Sequence, residues 1–368
     1  MSLAILGLGT ALPSTSVSQA EAIGIARSLC SRTEEQATWL PSVYGGSGIE
    51  RRHYAFSQEL VNDILHGTTH TGSIFLPTGR PDDAGPSTAQ RMQFYAKQAG
   101  PLASEASLQA LRRSGLQPRD LTHLITVSCT GFAAPGFDIS LIQTLGLNPT
   151  IERTHVGFMG CHGALNGLRV ARSFAGSEPE ARVLLCATEL CGPHYHYGWD
   201  PQKVIANALF ADGAAAIVGA SPINAPAAAW LAKGSASCLI PNSTSAMTWK
   251  IGDHGFEMTL SKQVPTLIAK HLRPWLETWL VKFDLTLEQI PSWAIHPGGP
   301  RILSAVEETL SLSREVMAPS RAVLAECGNM SSPTLLFILD RLRNQQAPRP
   351  CVALGFGPGL NAEAALFG

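Results

Sequence analysis

Short apolar runs rich in β-branched and small residues alternate along the chain with longer stretches whose apolar positions recur every three to four residues. In the first part, residues 3–8, 123–129, 182–188 and 214–218 read as strands. Residues 16–30, 87–111, 137–145 and 163–174 read as the helices between them. Ser87 is placed to N-cap its helix, and Pro101 is expected to kink or split it. Alternation of the two periods is the signature of an α/β fold.

A second series begins after the Pro/Ala-rich stretch 221–229. Strands are expected at 236–239, 247–251, 256–260, 293–295, 351–356 and 362–367, and helices at 264–283, 300–310, 320–326 and 332–344. The two series share a rhythm without sharing residue identities. The expectation is two similar α/β halves, residues 1–225 and 226–368, closed on one core. The segment 66–86, full of Gly, Pro, Thr and Asp, is expected to be the longest and most flexible loop.

Composition supports a large core: of 368 residues, 45% are hydrophobic and 15% charged, which excludes a disordered chain and a peptide-sized scaffold. Lys and Arg total 27 against 28 Asp and Glu, so no electrostatic footprint for nucleic acid or for a membrane surface is present. The N-terminus lacks a basic region, and no run approaches the ~18 apolar residues of a membrane span, so a cytoplasmic location is expected. The eight cysteines form no C-x-x-C pair and read as buried thiols before they read as disulfides or zinc ligands.

Three constellations carry possible chemistry. In 156–164 an apolar strand runs through a tight turn into a small-residue helix with Cys161 at its start, where the helix dipole is expected to lower the thiol pKa. The alternative is a small buried hydrophobe. In 292–300 a strand delivers His296 to a Pro-Gly-Gly turn, which leaves room for a substrate beside a base or oxyanion donor, although a lone His is more often structural. In 327–333, Asn329 follows a glycine between two helices, and its bland reading is a left-handed cap with Ser331 or Ser332 as the next N-cap. His194 and His196 lack a carboxylate at metal-ligand spacing, so no metal is expected.

Taken in order, Cys161, then His296 after 135 residues (296 − 161), then Asn329 after 33 more (329 − 296), resemble the thiolase superfamily. Within it the chain is similar to the type III polyketide synthases, relatives of chalcone synthase. The resemblance runs over nearly the whole chain and includes Ala208–Ala216 (ALFADGAAA), the HPGGP run from His296, GNMSS from Gly328 and GFGPGL from Gly355. It implies the thiolase fold, an αβαβα core of two similar halves, and a homodimer in which the Ala134-Pro135 loop reaches toward the partner.

The implied activity is iterative decarboxylative condensation of malonyl-CoA onto an acyl-CoA starter, with coenzyme A thioesters as substrates and no cofactor. Cys161 would hold the acyl group, while His296 and Asn329 would donate hydrogen bonds to the malonyl thioester oxygen. Phe210 and Met258 fall at gate positions, Trp249 stands where chalcone synthase has Gly, and Cys129, Thr130 and Cys191 line the cavity or a side tunnel suited to a fatty starter. Ser331 and Pro358 complete the expected cavity. The product class implied is a pyrone or resorcinol.

The chain departs from the family in 39–46, which lacks the basic residues that hold coenzyme A phosphates in chalcone synthase. Lys262 and Arg301 are the expected substitutes, and an acyl-carrier protein becomes an alternative starter donor. The competing readings are a single-step ketoacyl synthase or acyltransferase with the same trio, and a catalytically silent binding protein.

Overall fold

The computed structural model describes residues 2–368. Nine strands form one sheet in the order Ser292–Ile295, Cys351–Gly357, Asn361–Phe367, Trp230–Leu239, Leu3–Ala11, Asp212–Ala220, Arg182–Leu190, His123–Ser128 and Glu152–Gly157. The join between the two parts of the chain is short, pairing Leu3, Ala4 and Ile5 with Ala232, Leu231 and Trp230. Each side of it repeats one pattern. A parallel pair (His123–Ser128 with Arg182–Leu190, or Ser292–Ile295 with Cys351–Gly357) is followed by two antiparallel neighbours. The repeat that residue identities hide is therefore plain in the topology.

Alternate residues of each strand face different layers. Val183, Leu185 and Ala187 pack on the central helices Gly163–Ser177 and Pro333–Asn344, whereas Leu184 and Cys186 pack on Ala103, Ala106 and Ala110 of the outer helix Thr88–Ser114. In the second half Ala353 faces the same central helices, while Val352 and Leu354 face Val264–Leu280 and Pro300–Leu310. The result is five layers, αβαβα. Strands covered on both faces read as continuous apolar runs, which is why their positions were visible in the sequence.

Several local expectations are corrected. Pro101 does not split its helix, which runs unbroken from Thr88 to Ser114. Ala99, Ala103, Ala106 and Ala110 are buried on both sides of the proline, and this packing outweighs one lost hydrogen bond. The expected helix at 16–30 begins with a strand, Thr15–Ser18, paired with Arg51–Tyr54. Its helical part is Gln19–Cys30, capped by Ser18 in a reciprocal box with Glu21. Helices Glu34–Gly45, Gln58–His66 and Pro201–Asn207 were not expected, and that at 320–326 starts earlier, at Arg314. Segment 67–86 has no helix or strand, as expected, but the Asp63 carboxylate ties down its start through the N–H groups of His70 and Thr71 and the Thr71 hydroxyl.

Two features bring the site together. Met247–Gly252 and Gly255–Leu260 form a separate hairpin that sets Trp249 opposite Met258. Arg91, fully buried, donates to the carbonyls of Pro86, Pro193 and Tyr195 and so holds the segment that carries His194. Burial without a carboxylate partner lowers its pKa to about 10. Among the described residues no helix is long and apolar enough to cross a membrane.

Helix Thr88–Ser114 lies directly on strand Leu3–Ala11 because Gly7 and Gly9 have no side chain: a Cβ on Gly9 would stand 2.2 Å from the Ala106 carbonyl oxygen. Gly9→Ala is expected to cost roughly 3 kcal/mol, read as a lower urea midpoint. Gly45→Ala, whose Cβ would meet nothing within 4 Å, is the control and should leave the midpoint unchanged or raised.

Candidate active site

Strand Glu152–Gly157 ends in a turn with Phe158 at φ 59° and Gly160 at φ 82°. A Cβ on Gly160 would stand 2.2 Å from Pro358 Cδ, so this glycine lets the turn meet the far half of the molecule. Cys161 follows, just before helix Gly163–Ser177, and is 8% exposed. The expected low thiol pKa is overturned. Burial pushes it up to about 11, and the neighbouring Ser331 and Asn329 side chains offset only part of that. Cys161 therefore rests as a neutral thiol.

His296 leaves strand Ser292–Ile295 with its N–H bonded to the Leu354 carbonyl at 2.8 Å. It is 1% exposed, and burial with the nearby charge of His162 lowers its pKa to about 3. Neither ring nitrogen has a partner among the described residues. Asn329 is not a left-handed cap. Gly328 ends the preceding helix at φ 72°, ψ −172°, an extended conformation open to glycine, and Ser331 turns the chain again at φ 58°. Asn329 instead forms a bridge with Phe210, its N–H on the Leu209 carbonyl and its carbonyl on the Ala211 N–H, both at 2.9 Å. Its Oδ1 accepts the Ser331 N–H at 2.8 Å, which fixes the amide and leaves Nδ2 buried and unpartnered. Buried polar atoms without partners are rare, and one of these, the Asn329 amide, acts on the Cys161 thiol.

Cys161 opens on a cavity of about 340 Å³, with Gly160, Ser331 and Pro358 beside it. Cys129, Thr130, Cys191, Phe210, Trp249 and Met258 also line it, so every cavity residue expected from the sequence is there. Cys191, Phe210, Trp249 and Met258 also border a second space of about 520 Å³, reaching His194 and Lys203. Trp249 is the partition: its indole N–H donates to the Cys129 carbonyl at 2.7 Å, and its ring lies 6.0 Å from Phe210 and 5.8 Å from Phe256. His194 is spent on the wall. Its Nε2–H donates to the Thr130 carbonyl at 2.6 Å and its Nδ1 accepts the Phe256 N–H at 3.0 Å, so no lone pair is left for a metal.

One structural residue was missed. Glu189, fully buried, accepts from the N–H groups of Cys129 and Thr130, the Thr130 hydroxyl at 2.7 Å and the Ser332 hydroxyl at 2.6 Å. It thereby ties the cavity wall to the loop that carries Asn329. A single carboxylate inside the apolar run Arg182–Leu190 was the available signal. The two expected cations separate. Arg301 lies with Lys270 and Arg273 along an outer groove of about 1400 Å³ between helices Val264–Leu280 and Pro300–Leu310. Lys262 is exposed and borders none of the three cavities.

Residues 2–222 match the family model of the N-terminal domain of chalcone and stilbene synthases, and residues 232–368 that of the C-terminal domain. The chain is 34% identical over 284 residues to the alpha-pyrone synthesis polyketide synthase-like Pks18 of Mycobacterium tuberculosis, covering 75% of this chain and 72% of that protein. It is 29% identical over 375 residues to type III polyketide synthase C of Arabidopsis thaliana, covering 99% and 94%. The crystal structure of PKS-I from the brown alga Ectocarpus siliculosus superposes with a TM-score of 0.89 at 32% identity, covering 99% of this chain and 97% of that one. With both halves matched, the chain belongs to the chalcone and stilbene synthase family and is a type III polyketide synthase.

Proposed function

We propose that this enzyme loads an acyl group from coenzyme A onto Cys161 and extends it repeatedly by decarboxylative condensation with malonyl-CoA, releasing a pyrone or resorcinol-type product. One observation carries the reading: the buried Cys161 thiol has the Asn329 amide beside it, and among the described residues neither the Asn329 Nδ2–H nor the ring of His296 has a hydrogen-bond partner. A thioester oxygen would take both donors, and the negative charge that develops there as carbon dioxide leaves is what they stabilise. An amide at 329 suits this better than a carboxylate, which would repel that charge.

Loading begins from a neutral thiol and a neutral imidazole. The thiol proton passes to His296 as Sγ attacks, and the departing coenzyme A thiolate takes it back. In extension the enolate carbon attacks the Cys161 thioester carbonyl, the C–S bond breaks and Cys161 leaves as a thiolate, ready to take the extended chain from coenzyme A in the next transfer. The small side chains of Cys129, Thr130 and Cys191 favour a long, flexible acyl chain over an aromatic starter.

The donor's anionic end is assigned to the groove that carries Arg301, Lys270 and Arg273. Arg273 is partly spent on Glu277 and the Thr309 carbonyl, which leaves Lys270 and Arg301 as the stronger cations for coenzyme A phosphates or for an acidic carrier protein. The free edge of strand Glu152–Gly157, with Phe132 and Met159 each 41% exposed, supports a homodimer through that edge.

Incubation with malonyl-CoA and a panel of coenzyme A- and carrier-bound acyl starters should yield multiply extended pyrones or resorcinols by mass spectrometry. A single two-carbon extension would point to a ketoacyl synthase instead, and preference for carrier-bound starters would identify the donor. Cys161→Ala should abolish acyl loading, and an acylated variant would refute the nucleophile. Trp249→Gly should join the two cavities and move product masses up by whole two-carbon units; an unchanged product profile would show that Trp249 does not limit length. Sedimentation should report a dimer, and a monomer at micromolar concentration would remove that part of the reading.

A further inference from the structure

Cys191, Phe210, Trp249 and Met258 border both interior spaces, so the wall between those spaces is made of these four side chains. Two of them are fixed. Trp249 is hydrogen-bonded to the Cys129 carbonyl, and the backbone of Phe210 bridges that of Asn329. Phe210 is also the end of a stiff lever. Backbone hydrogen bonds run from the Asp200 carbonyl through helix Pro201–Asn207 to the Phe210 N–H, which donates to the Ala206 carbonyl at 3.2 Å. Fully buried Arg52 clamps the end of that helix by donating to the Ala208 carbonyl at 2.9 Å.

Met258 is held less firmly. Its strand, Gly255–Leu260, is tied at its start, where the Gly255 N–H donates to the Thr88 hydroxyl at 2.8 Å and the Phe256 N–H to His194 Nδ1 at 3.0 Å. The next residue, Glu257, reaches across to the lever helix, where its carboxylate meets Lys203 Nζ at 3.0 Å. Among the described residues this ion pair is the only polar link between that strand and that helix. It joins the element that ends in Phe210 to the element that carries Met258, one residue from Met258 itself, and both charged side chains border the second space.

Resting on the reading of Cys161 as the acyl carrier, we propose that Lys203 and Glu257 are positioning residues for this wall: their ion pair holds the Met258 strand against the Phe210 helix and keeps narrow the passage by which the tail of a long acyl starter enters the second space. A short starter stays in the space of about 340 Å³ beside the thiol and never meets the passage. A longer tail must leave that space, and the shared wall is where the interior continues, so the pair sorts starters by length. Its side chains are 24% and 44% exposed, so water and salt screen it and its effect is a few-fold bias, not an on-off switch. Lys250 lies opposite Glu257 across the hairpin, is exposed and borders neither space. When Lys203 is lost, Lys250 competes for the carboxylate and draws it away from the helix.

The test is steady-state kinetics of the full chain with malonyl-CoA and straight-chain acyl-CoA starters from butyryl to octadecanoyl. The reading is the ratio of kcat/KM for the longest starter the wild type accepts to that for the shortest. Lys203→Met and Glu257→Gln should each raise this ratio about threefold, through a lower KM for the long starter. The double variant should go no further than either single one, because both remove the same contact. Lys203→Arg, which keeps the pair, and Lys250→Ala should keep the wild-type ratio. The short starter reports the fold in the same assay, since a structural defect would slow both starters alike and leave the ratio where it was. A ratio that is unchanged or lower in the single variants overturns the proposal, and so does a double variant that multiplies the two single effects. Failure of the wild-type enzyme to form an acyl adduct on Cys161 with any starter would instead overturn the reading on which the proposal rests.

Discussion

The structure depends on one close approach. The turn that carries Cys161 must touch the strand and turn from Gly355 to Pro358, and it does so with almost no side chain between them. A Cβ on Gly160 would stand 2.2 Å from Pro358, and one on Gly357 would stand 2.4 Å from the His162 ring. Any larger residue at either position would push the halves apart and separate the thiol, which comes from the first half, from His296 and Asn329, which come from the second. The glycines near both motifs are thus a requirement of assembly as much as of turn geometry.

Burial at this junction sets the electrostatics. The thiol is pushed up to about 11 and the imidazole down to about 3, so both groups rest neutral. The fully buried carboxylate nearby acts as scaffold: Glu189 binds backbone and hydroxyl donors on both the cavity wall and the Ser332 loop. Arg91 does the same with the opposite charge, collecting carbonyls from the segment that carries His194. Both are satisfied inside the protein, whereas among the described residues the His296 ring nitrogens and the Asn329 Nδ2 are not.

The interior is partitioned. Trp249 is anchored by its own N–H to the Cys129 carbonyl and braced by Phe210 and Phe256, so it divides the interior into a space beside the thiol and a second one behind it. Met258, its cross-strand partner, is the flexible element of the same wall. A rigid aromatic with one hydrogen-bonded edge and a soft thioether opposite it give a boundary that one substitution can remove.

The sequence by itself determined the fold class, the strand positions covered on both faces, and the order of Cys161, His296 and Asn329, because burial on both sides and short glycine-flanked motifs leave local marks. It also held the cavity wall, through residues that the resemblance carried over one at a time. Only the tertiary structure decided that Pro101 stays inside a continuous helix, that Asn329 bridges Phe210 instead of capping a helix, and that the thiol rests protonated. Each of these follows from contacts between segments far apart in the chain. Glu189 was unreadable for the same reason: the identity of a buried polar residue says that it has partners, and only the fold says which.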